Sequence, residues 1–180
     1  MCIVVTGVPG VGKSTVMENA AKAKNMKIVN YGTVMFEIAK SKKLVNERDE
    51  MRRLPTNVQK NVQKAAAEKI HKMGKVIVDT HATIKTPRGY LPGIPYWVLQ
   101  KLKPEVVVLV ETDPADIAKR RIGDGSRTRD ADSKEAIEEH QMMNRAVAMA
   151  YATLSGATVK IIMNKEGRAK EAADELIGVL

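Results

Sequence analysis

The stretch that decides the fold is Cys2-Ile3-Val4-Val5-Thr6 running into Gly7-Val8-Pro9-Gly10-Val11-Gly12-Lys13-Ser14-Thr15. An apolar, β-branched run ends in a complete G-x-x-x-x-G-K-[ST] pattern with a helical pattern behind it, the context that a phosphate cradle requires. Gly7, Gly10 and Gly12 let the backbone fold into a tight nest with its amides turned inward. The following helix adds unsatisfied amides and the positive end of its dipole. Lys13 reaches toward β- and γ-phosphates, and the Ser14 hydroxyl faces Mg²⁺. The segment predicts a bound nucleoside triphosphate with magnesium, Gly7 to Thr15 wrapping its phosphates. It does not say what becomes of the γ-phosphate.

Outward from this loop, β-branched runs recur at Ile3–Val5, Lys27–Asn30, Val76–Asp79, Val106–Val110 and Thr158–Met163, with helical patterns between them. Continuously apolar strands separated by helices predict a parallel sheet buried on both faces, in a doubly wound α/β domain. Thr56 with Gln59 reads as a capping box, and Gly74 closes that helix. Asp113-Pro114 gives a cap and a first-turn proline. Asp132 and Glu135 open a long helix that Gly156 ends, and Ala169, Ala172, Ala173, Leu176, Ile177 and Leu180 form a last apolar stripe.

The chain has 180 residues, 44% hydrophobic and 28% charged, which suits one domain spanning 1–180 with room for a small insertion. Cys2 is the only cysteine, so an intramolecular disulfide and a cysteine-rich zinc site are excluded. Its place in the first strand makes it a small buried hydrophobe. No leader-like segment precedes the first apolar run, and no run approaches the ~20 residues that cross a bilayer. A soluble protein of the cell interior, without membrane contact, is expected. The net charge of +9 favours an anionic partner. With only 3% aromatic residues there is little to stack on bases, which turns the expectation from nucleic acid toward small-molecule phosphates.

Three stretches interrupt the alternation. Residues 32–73 hold two or three helical segments where one would suffice. Ala82 to Pro95 is too rich in proline and glycine for a helix, and Gly123 to Asp132 is short and polar. Long connections in a compact domain tend to be functional, and in an open parallel sheet they project where ligands bind. A switch GTPase needs D-x-x-G after the third strand, where Asp79-Thr80-His81-Ala82 stands instead. Asn164-Lys165-Glu166-Gly167 resembles a guanine-reading motif but ends in Gly rather than Asp. Val76-Ile77-Val78-Asp79 loosely matches the acidic partner of a phosphate loop, making Asp79 a candidate magnesium carboxylate or a general base. Arginines collect at Arg48, Arg52 and Arg53 and at Arg120, Arg121, Arg127 and Arg129, beside the irregular loops. Permanently charged forks there suit transfer to a phosphorylated acceptor, whose ionised oxygen needs cations and no base.

In order along nearly the whole chain, Gly7–Thr15, Asn30–Met35, Arg48–Arg52, Asp79–Ala82, Thr86–Gly93 and Gly156–Lys160 resemble archaeal adenylate kinases. The resemblance implies a P-loop three-layer αβα fold with a five-stranded parallel sheet, a small helical AMP-binding flap over about 31–73 and a short lid over about 123–131. It implies transfer from MgATP to AMP giving two ADP, a cytoplasmic enzyme, and often a homotrimer. Carried over, Lys13 and Ser14 would be central to ATP binding, with Asp79 orienting magnesium-bound water. Tyr31, Gly32 and Thr33 would begin the AMP flap, and Arg52 or Arg53 would face the AMP phosphate. His81, Lys85 and Arg88 are further AMP candidates. Arg127 and Arg129 would close over the transferring phosphates, and Asn164 to Arg168 would border the adenine. The lid has no Cys or His pair, so no zinc lid is expected. Other acceptors (cytidylate, uridylate or a metabolite) and an RNA-associated regulatory ATPase are the alternatives.

Overall fold

In the computed structural model, which describes residues 1–123 and 133–180, the first apolar run lies at the centre of the sheet. This strand, β1 (Cys2–Thr6), is flanked by β3 (Val76–Asp79) and β6 (Val106–Glu111), with β2 (Lys27–Asn30) and β7 (Thr158–Met163) outside them. All four pairings are parallel. Successive side chains point to opposite faces of a strand. Val4, Val78, Val107 and Leu109 therefore enter a core with α3 (Thr56–His71), α4 (Tyr96–Leu102) and α6 (Lys134–Ser155). Ile3, Val5, Ile77, Val108 and Val110 enter a second core with α1 (Lys13–Lys24), α5 (Pro114–Gly123) and α7 (Ala169–Ile177). Each such side chain contributes about 1.5–3 kcal/mol on burial, which is why the sheet needs helices on both faces. The result is the three-layer αβα fold that the sequence predicts. Burial on both faces holds for the inner strands; β2 and β7, at the edges, keep exposed residues such as Lys27 and Met163.

The segment after β2 folds as α2 (Tyr31–Ser41), a 3₁₀ turn over Arg48–Arg53, and α3. Ala39, Val45 and Val62 give it a small core of its own. The expected Thr56–Gln59 capping box does not form. Pro55 stands at the cap position, and the Gln59 carboxamide instead donates to the carbonyls of Leu54 (2.7 Å) and Arg52 (3.4 Å). A capping box does occur upstream, between Glu47 and Glu50. Asp113 caps α5 through the amide of Ala115, as predicted. The long helix α6 is capped by Ser133 rather than Asp132, which lies outside the described residues, and Gly156 closes it.

The proline- and glycine-rich stretch is a hairpin, β4 (Thr83–Thr86) and β5 (Gly89–Pro92), which packs on α6. The apolar runs did not predict it, because its strands are short and proline and glycine stand in its turn and at both ends of β5. Thr83 donates from its hydroxyl to Asn144 Oδ1 (2.6 Å), and Tyr90 meets His140 and Glu139. Cys2 is buried as expected, and burial pushes its thiol pKa up to about 12, which leaves it unreactive. Among the described residues, no helix is long and apolar enough to cross a membrane.

Candidate active site

The phosphate loop leaves β1 at the carboxyl end of the sheet and enters α1 through Gly12, which has φ +80°. No side chain caps α1 and its first turn holds no acidic residue. The first helical bond runs from the Val16 amide to the Gly12 carbonyl, so the amides of Lys13, Ser14 and Thr15 have no partner within the helix. Together with the dipole end they form a site for an anion. Ser14 and Thr15 are exposed in that first turn, whereas Val8 and Val11 pin the loop by burying their side chains in the core.

Lys13 bridges to the neighbouring strand. Its ammonium donates to a carboxylate oxygen of Asp79, at the end of β3, and to the Thr80 carbonyl at 2.9 Å. The other Asp79 oxygen accepts from Asn30 Nδ2 at 2.8 Å. Asn30 ends β2 and is also the cap of α2, its Oδ1 accepting from the Thr33 amide (2.9 Å) and hydroxyl (3.1 Å). Parallel register makes this possible, because it sets Asn30 beside Asp79 and Asp79 beside Val5. One chain of polar contacts thus runs from the phosphate loop to the start of the inserted helices.

Arg48 comes to that start. Its guanidinium lies 3.5 Å from both Asn30 Oδ1 and the Thr33 hydroxyl. Gly32 leaves the necessary space, since a Cβ there would lie 2.7 Å from Arg48 Nη2. Arg52 and Arg53, the expected phosphate contacts, are exposed at the far end of the 3₁₀ turn and are not brought to this point. Tyr31 begins α2, where the AMP flap is expected to start, and its side chain turns inward. It is 6% exposed, belongs to the core, and donates its hydroxyl to the Gln63 carbonyl at 2.8 Å, tying α2 to α3 rather than facing the cleft. Burial pushes its phenol pKa well above the ordinary value.

His81 follows Asp79 by two residues and keeps an open face. Protein crowding around the ring, then the Lys13 ammonium, hold its pKa below the usual imidazole value, with Asp79 pulling the other way. Lys85 sits on β4 opposite Tyr90, on the hairpin face that meets α6, and Arg88 is exposed in the hairpin turn. The lid expected at about 123–131 falls, past Gly123, outside the described residues, and Arg127 and Arg129 with it.

On the other flank, two arginines of α5 hold the loop. Arg121 Nε donates to the Pro9 carbonyl at 3.0 Å, and Arg120 Nη1 to the Val11 carbonyl at 3.3 Å. Asn164, which follows β7, donates to that same Val11 carbonyl at 2.7 Å. Besides Arg120 and Arg121, read only as part of an arginine group, Asn30, Arg48 and Asn164 are members that sequence reasoning did not single out for these contacts. The Asn30-x-x-Thr33 spacing at a strand end was a readable helix-cap signal. Arg48 stood out only as one of an arginine cluster and Asn164 only as part of the turn after the last strand, and neither pattern specifies these partners.

A family profile described as an AAA domain matches residues 6–138. A protein of Methanococcus vannielii named adenylate kinase is 53% identical over 99% of this chain and 97% of its own. One of that name from Methanopyrus kandleri is 55% identical over 97% of this chain and 95% of its own. Among solved structures, shikimate kinase from Bacteroides thetaiotaomicron superposes with a TM-score of 0.62 over 99% of this chain and 97% of its own; at 11% identity it shows the fold alone. A phosphate loop at the end of the central strand, inserted helices after the second strand, and half-identity over nearly full length place this chain in the adenylate kinase family.

Proposed function

We propose that this chain transfers the γ-phosphoryl group of MgATP to AMP, reversibly, giving two ADP. The observation that carries the reading is the Asn30–Asp79–Lys13 chain of contacts, which joins an anion-binding helix start to a second polar helix start at neighbouring strand ends. A phosphate oxygen of AMP, already ionised, bonds to the γ-phosphorus while the β–γ bridging bond breaks and ADP departs, so no general base is needed. Catalysis then rests on position and charge.

Lys13 binds the β- and γ-phosphates, exchanging its contact with Asp79 for the more concentrated charge of the nucleotide. Gly7 to Thr15 wraps the triphosphate. The Ser14 hydroxyl and the Asp79 carboxylate are hard oxygen donors that fit Mg²⁺, and few protein ligands suit an ion carried largely by phosphates. When bound, that ion neutralises charge on the transferring group.

On the acceptor side, Arg48 with the capped start of α2, at Gly32 and Thr33, receives the AMP phosphate, and His81 borders it. The residues about 31–73 act as the AMP flap, and Arg127 and Arg129 serve a lid over about 123–131. A cytoplasmic setting and homotrimeric assembly complete the reading, the latter checked by sedimentation.

Phosphorus NMR of ATP and AMP with magnesium and the protein tests it. ADP should appear at twice the rate of ATP loss, and Lys13→Ala should slow this by orders of magnitude while keeping the fold. Release of inorganic phosphate with AMP unconsumed would refute the reading.

A further inference from the structure

Asn164-Lys165-Glu166-Gly167 lacks the acid that would read guanine, yet its first residue is packed under the phosphate loop. Asn164 is 4% exposed, and its Nδ2 donates to the Val11 carbonyl at 2.7 Å. Arg120 donates to the same carbonyl (3.3 Å) and to the Asn164 carbonyl (3.4 Å). Glu166 in turn holds the Arg120 fork, at 3.0 Å from Nε and 2.8 Å from Nη2. Asn164 Oδ1 is buried and has no partner among the described residues, so the carboxamide is held by its donor end alone. Side chains from two parts of the chain remote in sequence thus converge on one loop carbonyl.

That carbonyl belongs to the peptide unit joining Val11 to Gly12. In a trans peptide the C=O and the N–H point in opposite directions. Holding the Val11 oxygen toward Asn164 therefore turns the Gly12 amide to the side away from Asn164. The contact is close enough that a Cβ on Gly12 would lie 2.4 Å from Asn164 Nδ2.

We infer that Asn164, backed by Arg120 and Glu166, is a positioning residue for the phosphate donor: it locks the Val11–Gly12 peptide so that the Gly12 amide already faces the triphosphate. A dipole oriented in advance needs no reorganisation when charge arrives. The inference rests on the reading of residues 7–15 as the donor site.

Calorimetric titration of the full-length protein with MgATP, magnesium tripolyphosphate and AMP tests it. In Asn164→Ala, affinity for ATP and for tripolyphosphate should both fall about tenfold or more, while AMP stays within about twofold. Asn164→Leu keeps the size, offers no donor to the Val11 carbonyl and adds no charge beside the phosphates, and should show at least the same loss; it decides the matter if Asn164→Ala does not fold. Undiminished tripolyphosphate binding with weakened ATP would make Asn164 a base contact and overturn the inference. Equal losses for all three ligands would reduce its role to general packing and overturn the inference as well. If the parent protein binds neither ATP nor tripolyphosphate, the donor-site reading fails instead, which is a different result.

Discussion

Replacing Gly12 by alanine should damage the protein in two separable ways, and Gly156→Ala supplies the control. Both glycines are left-handed, at φ +80° and +76°. Either substitution therefore carries the strain of an L-residue in that region, about 1–2 kcal/mol. At Gly156 nothing lies within 4 Å of the added Cβ, so strain is the whole effect. At Gly12 the Cβ would meet Asn164 Nδ2 at 2.4 Å, and either the loop or Asn164 must move. Movement breaks the bond to the Val11 carbonyl and leaves buried polar atoms unpaired, adding about 1–3 kcal/mol. Urea denaturation should accordingly show a loss of about 2–5 kcal/mol for Gly12→Ala against about 1–2 for Gly156→Ala. On the inference that the Gly12 amide faces the triphosphate, kcat/KM for ATP should fall about a hundredfold or more in Gly12→Ala and remain near the parent value in Gly156→Ala. Equal destabilisation of the two variants, or an unimpaired Gly12→Ala enzyme, would refute the argument that close approach to Asn164 shapes the loop.

Arg48→Ala should raise the KM for AMP by about tenfold or more, the loss expected of one charge-assisted contact, while Arg53→Ala leaves it nearly unchanged; steady-state kinetics at saturating ATP decides between them. His81 has a pKa below its unfolded value near 6.5, so as pH falls through that value the unfolded chain binds a proton that the folded chain refuses. Stability should therefore decline on acidification from about pH 6.5 toward the lower folded pKa, and His81→Gln should decline less over the same range in paired urea titrations. Glu111 is buried beneath a two-pronged contact with Arg145, whose side chain is 52% exposed. Arg145→Ala strands that carboxylate and should cost about 1–3 kcal/mol, less than a fully buried pair because solvent screens the arginine. Lys72→Ala removes only a surface i,i+4 pair with Glu68 and should cost under about 0.5 kcal/mol by the same measurement.

The sequence by itself determined the phosphate loop, the five core strands and their helical crossovers, and the extra helices between β2 and β3. These rest on signals carried within a few neighbouring residues: unbroken β-branched runs, helical periodicity, glycine spacing and a strand-to-helix junction. Tertiary structure alone decided which polar side chains meet. Arg48, Arg52 and Arg53 are equivalent as letters, and the phase of one 3₁₀ turn brings the first to Asn30 and leaves the other two in solvent. Tyr31 stood among the residues expected to begin the AMP flap, and only the packing of α2 on α3 turns its side chain into the core. Asn164 and Val11 are 153 residues apart, and only the stacking of β7 beyond β6 sets one under the other. The β4–β5 hairpin was likewise hidden, because its pairing depends on the face that α6 offers. Local pattern specifies elements because backbone hydrogen bonding and burial repeat along the chain. A site joins single residues from different elements, and their meeting is set by register and packing that no short window of sequence contains.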